Sequence, residues 1–81
     1  MTASPGVVLE AARVQAGMEP GEVWLAYFAL GGMEWPDVVQ AIFDGSVAPS
    51  RADYDMLAHA LNERFVDRGG NHPVPYEDEF D

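Results

Sequence analysis

Met18-Glu19-Pro20-Gly21-Glu22-Val23-Trp24-Leu25-Ala26-Tyr27-Phe28-Ala29-Leu30-Gly31-Gly32 decides how this 81-residue chain folds, because it reads as a helix with no polar side. Pro20 suits a first turn, where no amide hydrogen is needed, and Glu22 complements the positive helix end. The paired glycines stop the element by admitting a left-handed backbone. From Val23 to Leu30 every residue is apolar. Val23, Trp24, Tyr27, Phe28 and Leu30 form a broad bulky arc, with Leu25, Ala26 and Ala29 behind it. Two arrangements follow. The helix is central, its small alanines letting a neighbour approach closely. Alternatively Leu25, Ala26 and Ala29 reach the surface beside Val7 and Val14, and a partner covers them. In both, Trp24 and Phe28 belong mainly to the core.

Proline, serine and glycine punctuate the rest of the chain in the same way. Ser4 and Pro5 open a first helix that stops at Gly17. Trp35, pushed out of helical geometry by Pro36, caps a third helix with Asp37 in its first turn and Gly45 at its end. Ser50 caps a fourth helix running to Arg68, and Ser50 with Asp53 has the spacing of a capping box. On the fourth helix Tyr54, Leu57, Ala58, Leu61 and Phe65 share a stripe, opposite Asp55, His59, Asn62 and Glu63. On the third, Val38, Val39, Ile42 and Phe43 are the apolar arc. The first has two apolar sides, Val8, Leu9, Ala12 and Ala16 on one and Val7, Ala11 and Val14 on the other. The chain therefore predicts an all-α, four- to five-helix domain over 1–70. The acidic proline- and aromatic-containing tail over 71–81 is expected to be extended and disordered.

Composition narrows the function. Fourteen acidic residues face four arginines and no lysine, a formal net charge of −10. Without cysteine there is neither a disulfide framework nor a thiolate metal site. The longest apolar run is far short of the ~20 residues needed to span a bilayer, and a cytoplasmic protein is expected. Abundant Ala, Gly, Val, Asp and Arg without lysine matches a GC-rich bacterial genome.

Leu9-Glu-Ala-Ala-Arg13, Ala16-Gly-Met18, Val38-Val-Gln-Ala-Ile-Phe-Asp-Gly45, Ala48-Pro-Ser50 and Leu57-Ala-His-Ala-Leu61 together resemble the lambda-repressor-like helix-turn-helix domain. The match runs from about Val8 to Leu61 and implies that family's helix arrangement, with the third helix as recognition helix. The turn before that helix is about two residues longer than the family pattern, and Trp35-Pro36 replaces small polar residues there. The stretch from Ala60 to Tyr76 is similar to short actinobacterial proteins, a likeness that carries no mechanism. Read as a sequence-specific DNA-binding regulator, the chain would use Gln40 on an adenine edge and Arg51 on phosphate. Specific binders neutralise about 6–10 phosphates; Arg13, Arg51, Arg64 and Arg68 are the whole supply, and Asp37 and Asp44 flank Gln40.

Acidity also admits a DNA mimic that docks on a basic protein surface. In the tail, Tyr76 and Phe80 flank Glu77, Asp78 and Glu79, two aromatic anchors within a negative run. Asp55, His59 and Glu63 recur every four residues, which local ion pairing explains better than a metal or proton relay. No catalytic, cofactor or metal site is assigned. The favoured expectation is a non-catalytic regulatory protein that binds another protein or a second copy of itself through Val7, Val14, Leu25, Ala29, Trp35, Tyr76 and Phe80. Trp35 serves either as an exposed anchor or as a staple under the third helix.

Overall fold

The computed structural model describes residues 4–70 and 73–75. Within them the chain forms four helices and no strand: α1 (Pro5–Ala16), α2 (Pro20–Ala29), α3 (Pro36–Asp44) and α4 (Arg51–Asp67). The all-α expectation holds, with four helices among the described residues.

Each helix starts where a cap or proline makes starting cheap. The Ser4 and Ser50 hydroxyl oxygens accept hydrogen bonds from the Val7 and Asp53 amides. Pro5, Pro20 and Pro36 occupy first-turn positions. At α2 the Glu22 carboxylate also reaches back to accept from the Glu19 amide at 2.9 Å. Asp53 departs from the capping-box expectation, since its Oδ1 accepts the Tyr27 hydroxyl.

α1 packs on α3 and α4, and α2 packs on α4 and α3. Leu9, Val23, Tyr27, Val39, Ile42, Tyr54, Leu57 and Leu61 fill the centre. Where α1 crosses α3 the spacing depends on Gly6: a Cβ there would lie 2.8 Å from the Ile42 carbonyl oxygen. Arg13 braces the same corner. Its Nε and Nη2 donate to the two Glu10 carboxylate oxygens at 2.7 Å, its Nη1 donates to the Met18 carbonyl at 2.8 Å, and its guanidinium lies 5.8 Å from the Phe43 ring centroid. The hydrogen bonds from Arg13 hold the Glu10 carboxyl below its ordinary value.

Tyr27 is the central fixture. Its ring is fully buried, and its hydroxyl donates to Asp53 Oδ1 at 2.8 Å while accepting the Met33 and Glu34 amides at 3.1 and 2.9 Å. One side chain thus joins α2, the loop after it and the first turn of α4. Gly32 lies against the ring so closely that a Cβ would overlap it. The loop can hook over Tyr27 only with glycine at that position. Burial raises the Tyr27 phenol above its ordinary value, so it stays a neutral donor.

Three expectations are corrected here. Helix α2 is not enclosed: Val23 and Tyr27 are its buried side chains, and Phe28, placed mainly in the core by the sequence, is exposed. The Tyr27 pin fixes which side faces inward and turns Phe28 out. Asn62, placed on the solvent side of α4, is only 3% exposed. Its amide pairs in both directions with the Val74 backbone, Nδ2 donating to the carbonyl and Oδ1 accepting the amide, each at 2.9 Å. That pairing corrects the third expectation, a disordered tail over the whole of 71–81. Residues 73–75 pack on the domain, with Val74 buried and the Pro75 carbonyl accepting the Tyr54 hydroxyl at 2.7 Å. The packed domain therefore extends past residue 70.

Tyr27→Phe strands Asp53 and two loop amides, so it should lower stability by about 1–3 kcal/mol in urea denaturation with helicity unchanged. Because folding raises the Tyr27 phenol, its contribution is whole below the unfolded value near 10 and is lost as pH rises through the folded value. Wild-type stability should accordingly fall more steeply at alkaline pH than that of Tyr27→Phe. Asn62→Leu, similar in volume, should cost about 1–3 kcal/mol by leaving the Val74 backbone groups unpaired. Calorimetry with and without residues 73–81 checks this, since the penalty should shrink in the truncated chain.

Candidate functional site

With Val23 and Tyr27 facing inward, α2 must present Leu25, Phe28 and Ala29 outward, about one turn apart on its opposite side. Leu25 is 61% and Phe28 58% exposed. Trp24 sits at the edge of this face, half-buried, its indole N–H donating to the Glu34 carbonyl at 2.9 Å. Its ring stacks on Phe28, centroids 5.2 Å apart and planes 21° from parallel. The same loop that Tyr27 and Trp24 hold carries Met33, 90% exposed, and Trp35, 74% exposed, on either side of Glu34. The result is a group of large exposed apolar side chains on α2 and a loop whose backbone is held by three hydrogen bonds, with Tyr27 itself tied to Asp53.

Leu25 also borders a trough between α2 and α4. Met18, Ala26 and Ala60 lie along it, with Glu22, Glu63, Arg64 and Asp67 around them. Glu22 and Arg64 approach to 3.3 Å across it. The Glu19 amide chiefly, then Arg64, keeps the Glu22 carboxyl below its ordinary value.

The other sequence-predicted residues lie elsewhere. Val7 and Val14 are exposed, but on α1, which packs on α3 and α4 and hardly on α2. The hollow beside Val7 is formed with Ala11, Gln15 and residues 73–75, and shares no residue with the trough beside Leu25. Val7 and Leu25, expected on one surface, thus border different hollows. Trp35 caps α3 with its side chain 74% exposed, so it does not pack as a staple under that helix. Gln40 and Arg51 are exposed, and Asp37, Gln40 and Asp44 recur on one side of α3 at helical spacing. His59 Nε2 lies 3.7 Å from Glu63 Oε1, one turn further along α4. Among the described residues no three His, Asp or Glu side chains group to hold a metal, and no helix is long and apolar enough to cross a membrane. Tyr76 and Phe80 lie outside the described residues.

Phe28 and Met33 are the surface residues that sequence reasoning missed. The available signal was Tyr27: among the apolar residues from Val23 to Leu30, it and Trp24 alone have polar tips that need partners, and the glycine pair supplies a loop able to reach one. Compared with known proteins, the chain matches no family model, no curated relative and no solved structure.

Proposed function

We propose that this chain is a small, acidic, non-catalytic regulatory protein that binds another protein through the outward face of α2 and the loop after it, on a helix-turn-helix-like scaffold. The observation that carries this reading is the exposure of Leu25, Phe28, Met33 and Trp35 on a backbone that Tyr27 and Trp24 hold rigid. Soluble monomers rarely leave such a run uncovered. Interfaces favour aromatic and methionine anchors of this kind. Fully burying one large apolar side chain contributes about 1.5–3 kcal/mol, so several together offset much of the ~4–15 kcal/mol that association costs. A preformed backbone lowers that cost further, because the loop is already ordered.

The sequence's resemblance to the lambda-repressor-like domain makes DNA binding the competing reading. Charge weighs against it. Arg13 is engaged by Glu10 and the Met18 carbonyl, and Arg64 by Glu22. The exposed side of α3 offers Gln40 between two aspartates. A groove-reading helix with that face repels the backbone it must approach.

Phe28→Glu should abolish capture of the native partner from a lysate of the source cell, with helicity and melting unchanged. Val66→Glu, a matched change at an exposed α4 position, should retain it. Trp35→Ala should weaken the captured complex by roughly thirtyfold if it is an interface anchor, and shift stability by less than about 0.5 kcal/mol. Equal loss in Phe28→Glu and Val66→Glu would sink the reading, and so would a duplex-DNA gel shift at low salt that Gln40→Ala removes.

A further inference from the structure

Resting on the proposed α2 surface, we infer that the trough between α2 and α4 receives a basic amphipathic segment of the partner, an apolar side chain seated beside Leu25 and Ala26 and lysine or arginine against Glu63 and Asp67. The trough has a volume of about 360 Å³, with Met18, Ala26 and Ala60 among its lining residues and Leu25 as its exposed apolar wall. An aliphatic or aromatic side chain fits such a space. The rim sets the sign of the occupant. Glu22, Glu63 and Asp67 face a single cation, Arg64, which already contacts Glu22 at 3.3 Å. At the Met18 end two further arginines approach, Arg13 donating to the Met18 carbonyl while paired with Glu10, and Arg68 beside Gly17, so the excess of acid lies on the Glu63 and Asp67 side.

This distribution argues against a second copy as occupant. A two-fold contact sets each patch against itself, so acids would meet acids between two bodies of formal charge −10. A cationic segment gains where a second copy loses, both in steering and in the bound state.

The probe is a fluorescently labelled synthetic amphipathic helix of leucine and lysine, titrated by anisotropy against the full chain at low and physiological salt. The wild type should bind it, more weakly as salt rises. Asp67→Lys should weaken binding at least about tenfold while raising the melting temperature slightly. Asp44→Lys makes the same charge change at the last residue of α3 and should alter binding less than about twofold. Leu25→Ser should also weaken binding, which charge alone does not require. Equal effects of Asp67→Lys and Asp44→Lys, or no binding by the wild type, would overturn the inference. A dimer in sedimentation that Asp67→Lys disperses would make a second copy the occupant and overturn it too. If Asp67→Lys and Leu25→Ser leave binding intact while Phe28→Glu still abolishes capture, the trough assignment fails and the α2 reading stands.

Discussion

The hydroxyl of Tyr27 is the constraint on which the rest of this small domain depends. A helix without a polar side has no intrinsic preference for which face to bury. In α2 the choice falls to the one residue whose ring needs burial and whose oxygen needs partners. Asp53 on α4 and the amides of Met33 and Glu34 supply them. That single group fixes the rotation of α2, the path of the loop and the placement of α4's first turn. The exposed face follows from it, because burying Val23 and Tyr27 turns Leu25, Phe28 and Ala29 outward.

The helices themselves were legible because their ends are written in local chemistry. Ser4, Ser50, Pro5, Pro20 and Pro36 act within one turn of where they stand, so their meaning needs no tertiary information. The facing of α2 was not legible, since the wheel of an all-apolar helix gives no direction. Asn62 failed for a related reason. A polar residue on a helix reads as solvent-facing unless its partner is known, and that partner is the backbone of Val74, twelve residues on. The prolines at 73 and 75 read as a mobile tail by composition, yet that composition also suits an extended strap whose backbone groups stay available to side chains. Trp35 and Leu25 were identifiable as surface candidates, whereas Val7 and Val14 share their exposure but not their face.

Charge is distributed unequally between structure and surface. Two of the four arginines are committed to internal ties, Arg13 bracing α1 against the α1–α2 turn and Phe43, and Arg64 crossing from α4 to Glu22. These contacts use positive charge to hold elements together, so the acids of the outer faces remain largely uncompensated. Exposed ion pairs of this sort contribute little individually. Arg13 differs because it also satisfies the Met18 carbonyl at the end of α1, where a cation complements the helix dipole.

The sequence's likeness to a helix-turn-helix domain coexists with an outer side of α3 that suits DNA poorly. In a DNA reader of this shape the third helix would need a neutral or cationic outer side, and here that side carries Asp37 and Asp44 around Gln40. The large apolar groups instead collect on α2 and its loop, at the opposite end of the same turn. The longer turn makes this possible: it gives Gly32 room to lie on the Tyr27 ring and carries Met33 and Trp35 outward on either side of Glu34. A turn shortened to the family pattern would lose the hook over Tyr27, and with it the rigid surface. The departure from the resembled motif and the proposed binding face thus have one physical origin.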